Sequence, residues 1–191
     1  DEEFKKLRNN KKRKYITKIT RMELMKKYLD KYDGSKIIIY TTSRKDTVAI
    51  AEEINNKVKG SSLAYHAGMS KKMREIIQNK FSSGKVNIIV STIAFGMGID
   101  QIVRCVLIFG SSSSIEEYYQ QIGRAGRDGD PAETILFYED QQLKVKIEMV
   151  KKESCSKKLK DIKIENLNNM RKLCFYKGCR RRFILDYFKE R

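Results

Sequence analysis

Apolar residues follow one another along this chain in short, nearly uninterrupted runs. Four of these runs are rich in β-branched residues: KIIIYTT (36–42), VNIIVST (86–92), CVLIFG (105–110) and ETILFY (133–138). Such runs are typical of strands that are covered on both faces. LAYHAG (63–68) predicts a further short strand and the turn that follows it. The pattern therefore predicts a largely buried sheet.

Between these runs the apolar residues recur at helical spacing. Residues 21–32 show this period and stop before Asp33-Gly34, a pair that favours the end of a helix. Serines in capping positions predict where three further helices begin, at Ser43, Ser70 and Ser114. Gly84 predicts the end of the helix that follows Ser70.

The alternation of short strands with amphipathic helices predicts an α/β fold with a parallel sheet, because right-handed βαβ crossovers are the usual way to connect such elements. In sheets of this kind ligands gather at the carboxyl ends of the strands. From about residue 140 the pattern is helical only. We therefore predict a basic flexible arm (1–20), a main α/β lobe (21–140) and a small all-helical extension (141–191).

Composition narrows the class of protein. The 191 residues are 40% hydrophobic and 34% charged, which is typical of a soluble globular chain, and no run approaches the roughly 20 apolar residues of a membrane span. The opening residues DEEFKKLRNNKKRKY lack the apolar core of a signal peptide. Because the chain does not begin with Met, we expect it to be a piece of a longer protein.

Charge points to a class of partner. The formal net charge is +17 and the isoelectric point is near 9.7. A field of that strength favours a polyanion, usually nucleic acid. The alternative is a compositional bias of the source genome towards Lys, Asn and Ile. The four cysteines, Cys105, Cys155, Cys174 and Cys179, form no C-x-x-C pair, so we expect a reducing compartment and a buried thiol at Cys105.

The loop STIAFGMGID (91–100) is the first candidate for ligand chemistry. It combines Thr92 and Asp100 with glycines at 96 and 98. Glycines let the backbone approach a ligand closely, and free N–H groups beside a threonine hydroxyl suit a phosphate oxygen. Asp100 suits a ribose hydroxyl or an arginine. The alternative interpretation is an ordinary glycine-containing loop between two strands.

The stretch YYQQIGRAGRDGD (118–130) is the second candidate. Arg124 and Arg127 are three residues apart, and we predict that they share one helical face near a helix end at Gly126 or Gly129. Two planar guanidinium groups side by side can hold the oxygens of a phosphoryl group during transfer. The alternative is a pair of solvated surface arginines, which the surrounding glycines make less attractive.

These motifs resemble those of a known family. Q-x-x-G-R-x-G-R-x-G (120–129), preceded by STIAFGMGID and YHAGMSKKMREIIQNKF, is similar to the second RecA-like motor lobe of superfamily 2 helicases, and most similar to the RecQ branch. The resemblance covers residues 36–140. It extends more weakly over 168–188, which is similar to the start of the RecQ zinc-binding subdomain. It implies a RecA-like parallel sheet flanked by helices.

The resemblance also implies roles for individual residues. Arg127 would be the arginine finger that stabilises phosphoryl transfer, and Arg124 would lie beside it near the γ-phosphate. The residues implied to face the nucleotide are Gly98, Asp100, Gln120 and Gly123. The residues implied to contact a single strand are Ser43, Arg44, His66, Gly68 and Thr92. From the residue pattern alone, His66 is a structural histidine with satisfied hydrogen bonds.

The implied activity is that of an ATP-dependent 3′–5′ DNA helicase, which translocates on single-stranded DNA and unwinds duplexes. No G-x-x-x-x-G-K-[ST] loop and no D-E-x-H box occurs in the 191 residues. ATP and Mg²⁺ would thus need a first RecA-like lobe, and we expect the chain alone to be inactive as an ATPase. Expected partners are single-stranded DNA, duplex DNA and that lobe, with no membrane.

The resemblance leaves other questions open. The alternative functions are an ATP-independent nucleic-acid-binding module and an RNA-directed helicase. Cys179 is the candidate first zinc ligand, and we expect zinc only in a longer chain that supplies the remaining ligands. We expect the nucleus in a eukaryote, or otherwise the cytoplasm, with roles in DNA repair, recombination and replication. The chain departs from the family at Gln101-Ile102-Val103 and at GSSSS (110–114).

Overall fold

The computed structural model describes residues 22–57, 62–92, 95 and 101–190. The chain divides into two compact units, residues 1–34 and residues 35–191. In the first unit, helix α1 spans residues 22–31. It gives way to a turn in which Gly34 adopts a left-handed conformation with φ of 75°, as the stop signal predicts. The predicted basic arm lies outside the described residues.

The second unit is built on one parallel sheet. In the described part of the chain this sheet has five strands: β1 (Lys36–Tyr40), β2 (Ser62–Tyr65), β3 (Ile88–Ser91), β4 (Val103–Phe109) and β5 (Glu133–Phe137). The strands lie in the order β2-β3-β1-β4-β5, and every neighbouring pair is parallel. The predicted α/β class is confirmed, and each strand falls within its predicted apolar run or begins just outside it.

Three helices connect the strands and begin at the predicted caps. They are α2 (Arg44–Lys57), α3 (Lys71–Ser82) and α4 (Ile115–Ile122). The hydroxyl of Ser43 accepts from the backbone N–H of Asp46 at 3.1 Å. The hydroxyls of Ser70 and Ser114 each accept a backbone N–H three residues later, at 3.2 Å. Each cap satisfies a donor that the first helical turn leaves unpaired.

The carboxyl-terminal part of the unit is helical, as predicted. Its helices are α5 (Asp140–Lys152), α6 (Lys157–Phe175) and α7 (Arg180–Phe188). Met170 and Leu173 of α6 and Ile184 of α7 belong to the same buried cluster as Ile38 and Val106 of the sheet. The extension therefore completes the core of the sheet, while the predicted boundary at residue 140 stays a prediction. No helix in the described ranges combines the length and apolarity needed to cross a membrane.

Gly110, directly after β4, allows a test of backbone geometry. Its φ is 90°, and an added Cβ would lie 2.7 Å from Thr42 Cγ2 and 2.8 Å from Gln142 Oε1. Gly84 also has a positive φ, 73°, but an added Cβ would meet nothing within 4 Å. Both Gly→Ala changes introduce the left-handed strain of about 1–2 kcal/mol, and only Gly110→Ala adds overpacking of about 1–3 kcal/mol.

We therefore expect Gly110→Ala to lower the free energy of unfolding by at least about 1 kcal/mol more than Gly84→Ala does. Urea denaturation of both variants and the wild type measures the difference. Equal losses in the two variants would show that Thr42 and Gln142 do not enclose this position.

Candidate nucleotide and nucleic-acid site

The first part of the site lies after the carboxyl ends of β1 and β2. Arg44 begins α2, and its guanidinium lies over the backbone of Gly68: an added Cβ on that glycine would be 2.8 Å from Arg44 Nη1. The same position is 3.3 Å from His66 Nδ1. Three of the residues predicted to contact a single strand are thus brought together. Thr92 follows β3, the strand that lies between β1 and β2.

His66 differs from its predicted role as a satisfied structural histidine. Its Nδ1 atom is buried and has no hydrogen-bond partner among the described residues. A buried polar atom without a partner costs free energy, and in native structures it usually has a specific reason.

A pocket of about 80 Å³ lies after the carboxyl ends of β1, β3 and β4. Its polar lining includes Thr41, Thr92, Ser112, Gln121 and Lys146. The Ser112 hydroxyl donates to Gln121 Oε1 at 2.8 Å, and the Lys146 ammonium donates to the backbone carbonyl of residue 111. Burial lowers the pKa of Lys146. The GSSSS segment is therefore held from two sides, by α4 and by α5 of the helical extension.

The two arginines do not lie on a helix, so that prediction is wrong. Helix α4 ends at Ile122, and both arginines follow it in turns. The cause is a long-range contact: the Gly126 N–H donates to the Val103 carbonyl at 3.0 Å, with φ of 64° at Gly126. This pairing takes the chain out of the helix. It places the backbone of the arginine segment beside the amino end of β4.

Arg104 of β4 fixes the remainder of this segment. Its Nη1 and Nη2 atoms donate to the two carboxylate oxygens of Asp128 at 2.9 and 2.5 Å, and Nη2 also donates to Asp130 at 3.1 Å. Bidentate pairs of this kind are geometrically specific. The hydrogen bonds from Arg104 hold the pKa of Asp128 below its ordinary value of 3.8. Sequence reasoning missed Arg104, although a charged residue in the strand VRCVLIF was a visible signal.

Tyr40 lies near both arginines and forms a hydrogen bond to the loop that follows β3. Its side chain is 2% exposed, and its hydroxyl donates to the Phe95 carbonyl at 3.1 Å. Arg124 and Arg127 are both close enough to act on the same hydroxyl electrostatically. Burial raises the pKa of Tyr40 to about 12, against the opposing effect of both arginines. Tyr40 was also missed from sequence, where it is simply the end of an apolar run.

Of the four residues predicted to face the nucleotide, the structure describes Gln120 and Gly123. Gln120 is exposed, whereas its neighbour Gln121 is buried and hydrogen-bonded. Gly123 forms the carboxyl cap of α4, where its N–H donates to the Tyr119 carbonyl at 2.9 Å. The predicted site residues Gly98 and Asp100 lie outside the described residues.

The cysteines do not provide a zinc centre within the described ranges, where no three His, Cys, Asp or Glu side chains lie close enough together to hold a metal ion. Cys179 is exposed at the start of α7. Cys174 is half-buried, and burial raises the pKa of its thiol to about 11, which disfavours the thiolate that zinc requires. These residues supply one accessible thiol rather than a full ligand set.

Comparison with known proteins identifies the class to which this fold and site belong. The sequence model of the family described as Helicase conserved C-terminal domain matches residues 20–129, and that of the RecQ zinc-binding family matches residues 141–191. The chain therefore belongs to the helicase C-terminal domain family. Both matches together, with the relatives below, place it in the RecQ branch, as the motifs predicted.

The relatives are similar over most of this chain. It is 41% identical over 172 residues to the ATP-dependent DNA helicase RecQ of Haemophilus influenzae, covering 88% of this chain and 27% of that protein. It is 40% identical over 178 residues to the protein of that name from Pasteurella multocida, covering 92% and 28%. The chain thus spans little more than a quarter of the length of these curated relatives.

A solved structure supports the fold alone. The structure described as Mss116p DEAD-box helicase domain 2 bound to an RNA duplex superposes with a TM-score of 0.58 at 21% identity. The match covers 89% of this chain and 73% of that one. The sheet flanked by helices therefore has a RecA-like fold, as predicted.

The ion pair between Arg104 and Asp128 gives a prediction for pH dependence. Since the pKa of Asp128 is lowered by folding, the pair stabilises the fold fully above about pH 4 and loses its effect as pH falls through the lowered pKa. We expect Arg104→Gln to lower the free energy of unfolding near pH 7, and the difference from wild type to shrink below pH 4.

Chemical denaturation at a series of pH values measures this difference. Lys158→Gln is the control, because it removes one positive charge from an exposed position of α6. A loss in Arg104→Gln that did not depend on pH would contradict a stabilising contact with the ionised carboxylate.

Proposed function

We propose that this chain is the second motor lobe of a RecQ-like, ATP-dependent DNA helicase that translocates 3′ to 5′ on single-stranded DNA and unwinds duplexes. The observation that carries the proposal is the fixed placement of Arg124 and Arg127. They belong to a backbone segment anchored to β4, and both are close enough to the buried hydroxyl of Tyr40 to act on it electrostatically. The names of the relatives, ATP-dependent DNA helicases, agree with it.

In this proposal Arg127 is the arginine finger and Arg124 supports it near the γ-phosphate. Guanidinium groups that are already in place stabilise developing charge without the cost of reorganisation during the reaction. The Gly126–Val103 and Arg104–Asp128 contacts provide that placement. The residues Gly98, Asp100, Gln120 and Gly123 complete the nucleotide-facing surface. ATP and Mg²⁺ are held by a first lobe, since the 191 residues contain no phosphate-binding loop sequence.

The carboxyl-end loops form the track for a single strand. Arg44 provides charge, Gly68 allows the close approach of the Arg44 guanidinium, and His66 lies beside both. Ser43 and Thr92 lie at the ends of the adjoining strands. The contacts are with phosphates, so binding is independent of sequence and sensitive to salt, in keeping with a net charge of +17.

Several finer points belong to the same proposal. The lobe spans residues 21–140, and residues 141–191 begin a zinc-binding subdomain in which Cys179 is one ligand. Matching of that segment to the RecQ zinc-binding family supports this assignment. The first lobe of the same protein and duplex DNA are further partners. The protein acts in DNA repair, recombination and replication, in the nucleus of a eukaryote or otherwise in the cytoplasm.

The finger proposal predicts a large kinetic effect. In the full-length protein, we expect Arg127→Ala to lower the rate of DNA-stimulated ATP hydrolysis by about 10³-fold or more, because the transition state loses its guanidinium. Arg127→Lys keeps the charge but not the planar fork, so it should remain strongly impaired. Steady-state phosphate release measures all three proteins.

Three other outcomes of this experiment would exclude the finger role or favour a different function. Wild-type hydrolysis in Arg127→Ala would exclude the finger role. Absence of DNA-stimulated hydrolysis in the wild type, with strand binding retained, would favour the ATP-independent binding module. Stimulation by RNA strands in preference to DNA would favour the RNA-directed helicase.

The track proposal predicts the salt dependence of binding by the 191-residue chain. We expect Arg44→Gln to weaken single-strand binding and to reduce the slope of log K against log salt by roughly 0.7, the value for one lost phosphate contact. The matched control is Lys45→Gln, which removes a neighbouring exposed charge on the same helix turn. Fluorescence anisotropy with labelled oligonucleotides measures both. Equal slopes for the two variants would indicate diffuse attraction rather than a contact at Arg44.

A further inference from the structure

We propose that the pocket after the carboxyl ends of β1, β3 and β4 binds one phosphate group of a nucleic-acid backbone, and that Lys146 of the helical extension supplies the charge that holds it. The inference rests on the proposed function, because it extends the strand track by a contact from the helical extension. Three features carry it: the position of Lys146, the surroundings of its ammonium group, and the polar groups on the other walls of the pocket.

Helix α5 brings Lys146 to the pocket. Gln142 and Lys146 are four residues apart on this helix and therefore share one face. A Cβ added to Gly110 would lie 2.8 Å from Gln142 Oε1 and 2.7 Å from Thr42 Cγ2. This face of α5 is thus packed against the segments that follow β1 and β4. Lys146 lines the pocket from there, and its ammonium donates to the Ser111 carbonyl.

The charge of Lys146 is not balanced by a contact. The residue is half-buried, and its ammonium forms no ion pair within the part of the chain that the structure describes. A lysine ammonium has three donors, and the described residues accept one of them. Burial lowers the pKa of Lys146 despite the opposing effect of Glu117, which lines the same pocket. A bound anion would accept the remaining donors and offset the cost of burying the charge.

The carboxylate of Glu117 is engaged by other groups. Its Oε2 accepts from the backbone N–H of Ser113 at 2.9 Å, and its Oε1 accepts from Gln121 Nε2 at 3.2 Å. Gln121 Oε1 in turn accepts from the Ser112 hydroxyl at 2.8 Å. These bonds fix the carboxylate in the wall that α4 forms. Because a carboxylate repels a phosphate, binding at this pocket depends on the positive charge of Lys146.

Another wall of the pocket presents hydroxyl groups. Thr42 and Thr92 both line it, and neither hydroxyl has a hydrogen-bond partner in the described ranges. Hydroxyl and lysine donors are common contacts of backbone phosphates. The volume of about 80 Å³ is several times the roughly 10–15 Å³ that one water needs, so a phosphate group fits. Since Thr92 also belongs to the proposed track, the pocket continues that track towards β4, which favours a strand over a free phosphate ion.

The binding experiment uses the 191-residue chain and a fluorescently labelled single-stranded oligonucleotide. We expect Lys146→Gln to weaken binding by about tenfold at low salt, the effect of one lost charge-assisted contact. The slope of log K against log salt should fall by roughly 0.7, the value for one phosphate. Lys152→Gln is the matched control, because it removes an exposed charge from the same helix. It should stay within about twofold, with an unchanged slope.

A purely structural role for Lys146 predicts something different. If the ammonium only holds the Ser111 carbonyl, Lys146→Gln lowers the Tm and leaves the salt slope at the wild-type value. Lys146→Arg separates the two roles further, since it retains the charge that the slope counts. We expect Lys146→Arg to show the wild-type slope, and thermal unfolding shows whether each variant is folded.

A spectroscopic titration of the wild-type chain tests the contact without relying on a variant's stability. The side-chain Cε–Hε resonance of Lys146, assigned by its loss in Lys146→Gln, should shift when the oligonucleotide is added, and that of Lys152 should not. Inorganic phosphate at matched ionic strength is the second probe. A shift with inorganic phosphate and none with the strand would overturn the assignment to a nucleic-acid backbone.

The remaining outcomes separate this inference from the proposed function. A wild-type slope in Lys146→Gln, or equal changes in Lys146→Gln and Lys152→Gln, would overturn the phosphate contact while Arg44→Gln still weakened binding. A wild-type chain that did not bind single strands would instead overturn the proposed track, and this contact with it.

Discussion

The pairing of β1 with parallel neighbours on both sides is the constraint on which the rest of the structure depends. Its Cα register sets Tyr40 level with Ser91 of β3 and Ile108 of β4. The loops that follow these three strands therefore start from one line, and their polar groups meet at one edge. If β1 slipped by one residue, its side chains would exchange faces, and Tyr40 would no longer meet Phe95.

The two proposed ligand regions share no backbone segment and lie at different levels of the sheet. The arginine segment lies beside Val103, at the amino end of β4, and the strand track lies after the carboxyl ends of β1 to β3. The Tyr40 hydroxyl donates to the Phe95 carbonyl after β3, and it is close enough to Arg124 and Arg127 to be affected by their charges.

The local sequence pattern was sufficient to predict the strands and most helices, and insufficient to predict the contacts between segments that are distant in sequence. Strands that are covered on both faces appear as apolar runs, and serine caps act over three residues. Both could therefore be predicted from the sequence. The end of α4 was misplaced because Gly126 pairs with Val103, a contact between distant positions that no local period reveals. The same holds for Arg104 with Asp128 and for the hydroxyl of Tyr40. The unpaired Nδ1 atom of His66 is likewise visible only in three dimensions.

The shared core of the sheet and the helical extension has a consequence for the cooperativity of folding. Met170 and Leu173 of α6 are buried in the same cluster as Ile38 of β1, so the sheet and the extension form one cooperative folding unit. The sheet and the helical extension would then unfold together. A destabilising change in α6 would therefore also destabilise the sheet, although α6 lies far along the chain from β1.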